Sequence, residues 1–117
     1  MRCVHVVLSA VSLLFGCSAV LSDIDGPEAV QLVSGGARLV DVRSLDEWNS
    51  GHIEGAIHIP HGEVAERADE IGGRDQTIIV YCASGVRSYW AKSTLQDLGF
   101  SDVRNLGGIS EWPSKNE

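Results

Sequence analysis

Cysteine is scarce in this chain, with three in 117 residues. Cys3 and Cys17 fall in an N-terminal stretch that we expect to be removed or lipidated, so Cys82 is the thiol left for the mature protein. A single thiol cannot build an intramolecular disulfide framework, which excludes the small folds that depend on one. An unpaired thiol in an exported protein is instead a candidate for reactivity.

Basic residues are also few: 9 Lys and Arg stand against 16 Asp and Glu, for a formal net charge of −7. This balance argues against binding to nucleic acid or to an anionic membrane surface. It does not exclude an anionic substrate, since the field of distant charges is screened over about 10 Å at ~0.1 M salt. The chain is long enough for one domain and not two, and we expect a monomer.

Long apolar runs are missing apart from Val4–Phe15, which is too short to span a bilayer but typical of a signal-peptide core. We therefore expect residues 1–22 to be a bacterial export signal and the protein to be periplasmic. Two endings compete, and the favoured one resembles a lipobox with lipidation at Cys17. The other is ordinary cleavage before Asp23, and a buried helix of a cytoplasmic protein is a third alternative.

No metal or cofactor site is expected, although His58 and His61 straddle a proline. Their spacing fits no common zinc pattern, and no second pair of ligands is evident. A histidine that the fold brings beside Cys82 would make a Cys–His hydrolase, which the sequence alone leaves open.

The organising stretch of the chain is Tyr81–Ser88, which follows the β-branched run Thr77–Val80. That run predicts a buried strand, and the apolar spacing of residues 89–98 predicts a helix. Cys82 should thus lie on a loop of small residues that faces unpaired N–H groups and the positive end of a helix. Such a loop suits an anion, including the thiolate of the cysteine itself.

Five residues are predicted to form a cradle around the sulfur: Ala83, Ser84, Gly85, Val86 and Arg87. Gly85 permits a tight turn, and the Arg87 guanidinium can reach a group above the sulfur. A helix N-terminus or a nearby arginine lowers the pKa of a cysteine from about 8.5. The alternative is a structural cysteine that packs as a small hydrophobe.

The spacing Cys82-x-x-Gly85-x-Arg87 resembles the active-site loop of rhodanese-like sulfurtransferases. Protein tyrosine phosphatases place five residues between cysteine and arginine, and a histidine usually precedes their cysteine where this chain has Tyr81. The resemblance also includes Gly51–Pro60 and extends over about residues 25–112. The other matching segments are residues 39–43, 47–48, 98–100 and 106–109, together with Val103 and Trp112.

The resemblance implies a sulfurtransferase in which the Cys82 thiolate takes sulfur from thiosulfate or a similar donor and becomes a persulfide. The acceptor would be cyanide or a small or protein thiol, and residues 83–87 would bind the substrate. A non-catalytic sulfur carrier or binding module is the second hypothesis. A phosphatase or arsenate reductase is the third.

Strands alternate with helices along residues 25–113, which predicts one α/β domain with a largely parallel sheet and helices on both faces. Residues 114–117 are expected to form a flexible tail. The expected elements are a helix from Asp25, a strand at Leu39–Val42, a helix at Leu45–Asn49 with a Ser44/Glu47 capping box, a helix at Glu63–Ile71 and a strand at Ser101–Leu106.

Asp41 and Arg43 close the strand at Leu39–Val42, and ligand crevices lie at the carboxyl ends of such strands. We interpret both as supporting groups, Asp41 as an acceptor that fixes the loop and Arg43 as an ion-pair partner or a source of positive potential. An ordinary Arg43–Glu47 pair with an Asp41 turn is equally compatible with the sequence. Trp48 is expected to pack on the core.

Overall fold

The computed structural model describes residues 21–114. Most of the expected export signal, including Cys17, and the last three residues of the expected tail lie outside them. The helices are α1 (Gly26–Ser34), α2 (Leu45–Asn49), α3 (Val64–Arg67) and α4 (Val86–Asp97), with short 3₁₀ turns at His61–Glu63, Ala68–Glu70 and Ile109–Glu111. The strands are β1 (Arg38–Asp41), β2 (Ile57–His58), β3 (Ile78–Cys82) and β4 (Val103–Gly108).

The four strands form one sheet in the order β2-β1-β3-β4, and every neighbouring pair is parallel. The predicted α/β class with a parallel sheet is therefore confirmed. In the register, Asp41 lies opposite Tyr81, and Cys82 lies opposite Gly108. Because parallel strands end at the same edge, these four residues meet at the carboxyl edge of the sheet.

Two apolar cores cover the two faces of the sheet. Side chains alternate along β3, so Val80 and Cys82 belong to one core while Ile79 and Tyr81 belong to the other. The first core is completed by residues of α3 and α4, and the second by residues of α1 and by the segment after β4. All five residues of β3 are buried, as expected for an interior strand with helices on both sides.

The helix termini follow the predicted chemistry. The Asp25 side chain caps α1 by accepting a hydrogen bond from the N–H of Glu28 at 2.9 Å. Ser44 and Glu47 form the predicted capping box on α2, each side chain accepting from the backbone of the other. These two helix starts depend on contacts within three residues, which explains why the sequence alone predicts them.

Several element boundaries differ from the prediction, and two of them border the cysteine loop. Helix α4 begins at Val86 instead of residue 89, so the first turn of the helix, rather than the loop, carries Arg87. Gly85 adopts a φ of 101° just before it, a left-handed conformation that lets the chain enter the helix at once. Strand β4 continues through Gly107 and Gly108, two residues beyond the strand predicted at Ser101–Leu106.

The prediction of one continuous helix at Glu63–Ile71 was wrong. It consists of one turn of α-helix between two 3₁₀ turns. No side-chain cap forms at Pro60, Glu63 or Arg67, the three residues that precede these turns. A short segment without capping bonds gains little from propagating one regular helix.

Trp48 does not pack on the core, contrary to expectation, since no residue of α2 is buried. Its ring instead stacks on His52, with centroids 3.4 Å apart, and on His58, with centroids 4.9 Å apart. The Nδ1 of His52 also bonds the Trp48 carbonyl at 3.0 Å. Helix α2 is too short to bury an apolar stripe, so its tryptophan is covered by imidazole rings.

Candidate active site

Cys82 is the last residue of β3 and lies at the carboxyl edge of the sheet. Its side chain is fully buried, yet the sulfur is surrounded by donors. The N–H of Gly85 donates to Sγ at 2.9 Å, and the hydroxyl of Ser88 donates at 3.3 Å. The thiol is thus buried among polar donors rather than in hydrocarbon alone.

These donors favour the charged form of the sulfur. Burial alone would raise the pKa of the Cys82 thiol, because it removes water from the thiolate. Hydrogen bonds from the hydroxyl and N–H of Ser88 and from the N–H groups of Gly85 and Ser84 outweigh burial. The pKa of the thiol is therefore lowered, and the reactive thiolate is more populated at neutral pH than in a free cysteine.

Ser88 is a site residue that was not among those predicted from the sequence. It lies in the first turn of α4, where its buried side chain faces back toward the strand end. A serine six residues after a candidate nucleophile is detectable only once the helix is known to begin at Val86. The misplaced helix start is therefore the reason that Ser88 was missed.

Two glycines of strand β4, Gly107 and Gly108, lie directly against the cysteine loop. A Cβ built on Gly108 would lie 2.6 Å from the carbonyl oxygen of Ala83, and one built on Gly85 would lie 3.2 Å from the Cα of Gly107. A side chain at Gly108 would overlap the loop, and one at Gly85 would crowd the strand and strain a backbone with a φ of 101°. The glycine pair thus brings the β4 backbone against the cysteine loop, at an irregularity in the strand register beside Tyr81.

Arg87 lies beside the loop, but its guanidinium is already paired. Its Nη1 and Nη2 donate to the two carboxylate oxygens of Glu47 at 2.8 and 3.0 Å. The hydrogen bonds to Glu47 raise the pKa of Arg87, and the negative charge of the Cys82 thiolate adds to that effect. Arg87 is thus close enough for its charge to act on the sulfur, while its planar fork is used by Glu47.

Asp41 and Arg43 form a second arginine–carboxylate pair at the same edge. Nη2 of Arg43 donates to the buried carboxylate of Asp41 at 2.7 Å and to the carbonyl of Gly51 at 2.7 Å. The Arg43 N–H also donates to Asp41 at 2.8 Å, which closes a tight turn after β1. The alternative Arg43–Glu47 pair does not form, because Glu47 bonds Arg87 instead.

The neighbourhood of this second pair extends to Tyr81 and His58. The Tyr81 hydroxyl accepts from the N–H of Ile53 at 3.2 Å, and the Arg43 guanidinium lies over the Tyr81 ring. His58 bonds the Arg43 carbonyl through Nε2 at 2.7 Å. These groups hold the strand ends together, and the hydrogen bonds of His52 and His58 are made here and at Trp48 rather than at Cys82.

A separate cleft of about 780 Å³ borders the second core and not the cysteine loop. Its lining comes from the segment before β2 and the segment after β4, including Ile53, Ile109 and Trp112.

In residues 21–114, no group of three or more His, Cys, Asp or Glu side chains is placed to hold a metal ion. No helix in this part of the chain is long and apolar enough to cross a bilayer.

Comparison with known proteins identifies the family of the chain. The family model of the rhodanese-like domain matches residues 25–115. A protein named putative sulfur carrier protein YrkF from Bacillus subtilis is 41% identical over 80 residues, 68% of this chain and 43% of the relative. Thiosulfate sulfurtransferase PspE from Escherichia coli is 38% identical over 73 residues, 62% of this chain and 70% of the relative.

A plant relative covers more of the chain. Thiosulfate sulfurtransferase 16 of Arabidopsis thaliana chloroplasts is 34% identical over 107 residues, 81% of this chain and 89% of the relative. The chain thus spans from less than half to about nine-tenths of the length of these three relatives.

Solved structures agree in sequence and in fold. A human single-domain sulfurtransferase, TSTD1, superposes with a TM-score of 0.67 at 30% identity, over 74% of this chain and 88% of that one. A rhodanese with anions from E. coli gives 0.63 at 36% identity, over 67% and 95%. The chain therefore belongs to the rhodanese-like domain family, the family of the sulfurtransferases that it resembles in sequence and in fold.

Proposed function

We propose that this protein transfers a sulfane sulfur from thiosulfate or a similar donor to a thiophilic acceptor through a persulfide on Cys82. The observation that carries the proposal is the pair of hydrogen bonds that the Cys82 sulfur accepts from the N–H of Gly85 and the hydroxyl of Ser88. A packed structural cysteine needs no such donors, whereas a thiolate nucleophile does.

The chemistry divides into two displacements. The Cys82 thiolate attacks the outer sulfur of thiosulfate, a Cys–S–S⁻ persulfide forms, and the S–S bond of the donor breaks to release sulfite. An acceptor such as cyanide or a thiolate then attacks the outer sulfur of the persulfide and leaves with it, which restores the Cys82 thiolate. Two separate displacements predict ping-pong kinetics.

The backbone of residues 83–87 supports the anionic sulfur in both states. Donors that are already aimed at the sulfur need no reorganisation when charge moves to the outer atom. In other enzymes the loss of one such donor typically costs ~10²–10³ in rate. The charge of Arg87 acts on the Cys82 sulfur but is compensated by Glu47, and Asp41 and Arg43 keep the neighbouring strand end in place.

The intact mass of the full chain, measured before and after incubation with thiosulfate, tests the proposal. We expect a gain equal to one sulfur atom, followed by loss of that mass when cyanide is added. Cys82→Ala should show no gain, while Ser84→Ala should still gain it, because Ser84 contributes its backbone N–H. A wild-type mass that never changes, or a gain that persists in Cys82→Ala, would overturn the proposal.

A sulfur carrier is the second candidate, and the similarity to the protein named putative sulfur carrier protein YrkF favours it. A carrier would load the persulfide without turning it over to small acceptors. Multiple turnovers with thiosulfate and cyanide would reject the carrier. A single loading event that no small thiol or cyanide can discharge would support it.

Export and lipidation at Cys17 remain part of the proposal, and one contact supports processing upstream of Leu21. The side-chain amide of buried Asn105 donates to the Leu21 carbonyl at 2.7 Å. Cleavage before Asp23 would remove that partner. The mass of the protein recovered from the envelope of its host should therefore correspond to a chain that begins at a lipidated Cys17, and a chain that begins at Asp23 would contradict it.

A further inference from the structure

The Glu47–Arg87 pair bears on which donors the site accepts. Glu47 lies at the third position of α2 and reaches across to the first turn of α4, so it joins the segments after β1 and after β3. Both carboxylate oxygens bond the guanidinium, which leaves the pair with no net charge. An anionic donor approaching Cys82 thus meets a compensated arginine rather than a free cation.

Glu47 is held in this position by its own helix. Its Oε1 accepts hydrogen bonds from the N–H and the hydroxyl of Ser44 at 3.0 and 2.9 Å. The Arg87 guanidinium, followed by the bonds from Ser44, lowers the pKa of Glu47 to about 2. The carboxylate is therefore charged at every pH at which a thiolate is available.

Other cations in this region are compensated as well. Arg43 is buried against Asp41, and Lys92 on α4 bonds Asp23 at 2.6 Å. In the part of the chain that the structure describes, the three cations Arg43, Arg87 and Lys92 thus each have a carboxylate within hydrogen-bonding distance. A donor with two negative charges, approaching a thiolate, gains less from such a site than from one with an unpaired arginine.

We propose that Glu47 is a specificity-determining residue that cancels the charge of Arg87 and disfavours doubly charged sulfur donors relative to singly charged ones. The inference rests on the proposed sulfur transfer at Cys82 and concerns the choice of donor. Glu47 acts through Arg87 and touches no reacting atom. The backbone donors of the loop, which do not depend on Glu47, stabilise the sulfur that both kinds of donor deliver.

A matched pair of donors separates charge from shape. Thiosulfate carries two charges, whereas methanethiosulfonate replaces one oxygen by a methyl group and carries one. The Cys82 thiolate attacks the terminal sulfur of either, forming the same persulfide and releasing sulfite or methanesulfinate. The measured quantity is the ratio of kcat/KM for thiosulfate to kcat/KM for methanethiosulfonate, with kcat and KM determined separately.

Glu47→Gln should raise this ratio about three- to tenfold, since one charge near the site then acts on one additional charge of the donor. Glutamine can still close the capping box with Ser44, so the variant should fold. Glu47→Asp keeps the charge and should keep the ratio close to that of the wild type. The double variant Glu47→Gln/Arg87→Gln removes both charges and should return the ratio toward the wild-type value.

The matched control is Glu70→Gln, which breaks a similar carboxylate pair with Arg67 in the segment between β2 and β3. It should leave the ratio unchanged. An unchanged or lower ratio in Glu47→Gln would overturn the inference while leaving sulfur transfer intact. Failure of the wild type to form a persulfide with either donor would instead overturn the proposed function.

Discussion

The carboxyl edge of the sheet has two halves, the segment after β1 and the segment after β3. Each half carries an arginine–carboxylate ion pair, and the two pairs differ in burial. After β1, Asp41 and Arg43 are paired with side-chain exposures of 0% and 8%, and after β3, Arg87 pairs with Glu47 at 30% and 34%. A buried pair is costly to break because it leaves an uncompensated charge, whereas a half-exposed pair contributes little to stability. The first half should therefore determine stability, and the second half should determine chemistry.

The largest expected effect is on stability at Asp41. Asp41→Asn leaves the Arg43 guanidinium buried without its counter-charge and should lower the free energy of unfolding by ~3–5 kcal/mol. Urea denaturation followed by circular dichroism measures this. Glu47→Gln is the matched substitution in the second half and should cost less than ~1 kcal/mol. Equal losses in the two variants would break the comparison.

The next effect is on the thiol in the second half. Ser88→Ala removes the hydroxyl that bonds Sγ and should raise the pKa of Cys82, so that alkylation by iodoacetamide at pH 7 slows about tenfold. Thiolate absorbance against pH gives the pKa directly. Ser84→Ala retains its backbone N–H, so it removes no hydrogen bond to the sulfur. The alkylation rate of this variant should stay within about twofold of the wild-type rate. A rate in Ser88→Ala equal to that of the wild type would contradict the assigned donor.

One substitution made at both arginines sharpens the contrast. Arg87→Lys keeps the positive charge but loses the two bonds to Glu47 in a partly exposed pair, and it should lower the free energy of unfolding by less than ~1 kcal/mol. Arg43→Lys loses bonds to Asp41 and Gly51 inside the fold and should lower the free energy of unfolding by ~1–3 kcal/mol. A larger loss of stability in Arg87→Lys than in Arg43→Lys would contradict the roles assigned to the two pairs.

The smallest effect is a pH dependence of stability at Glu47. The folded-state pKa of about 2 lies below the ordinary value of 4.5, so the contribution of Glu47 is complete above about 4.5 and is lost as the pH falls toward 2. Because the pair is about one-third exposed, the contribution should stay below ~1 kcal/mol. The stability difference between wild type and Glu47→Gln, measured from pH 5 to pH 2, should shrink over this interval. A difference that grows with acidity would have the wrong sign.

Local patterns predicted much of this structure. The apolar run before Cys82 is a buried strand, and the Ser44/Glu47 capping box starts α2, because both depend on residues adjacent in the sequence. The cysteine at the end of a strand also followed from the order of these patterns. Its loop and the following helix were predicted in type, with an error of three residues in the helix start.

Contacts between distant segments were not predictable in the same way. Glu47 and Arg87 are 40 residues apart, and their pairing requires that β1 and β3 be neighbours in the sheet. Gly108 supports Ala83 only because β4 pairs with β3 in a particular register. The stacking of Trp48 on two histidines likewise depends on where the segment before β2 passes α2.

By itself the sequence determined the alternation of strands and helices, the caps of α1 and α2, and the place of Cys82 at a strand end, since these follow from periodicity and from bonds between near neighbours. Only the tertiary structure decided which donors surround the sulfur and which carboxylate each arginine binds. The physical reason is that a hydrogen bond requires two groups within about 3 Å. Which distant groups come that close is set by the strand order and register of the whole sheet.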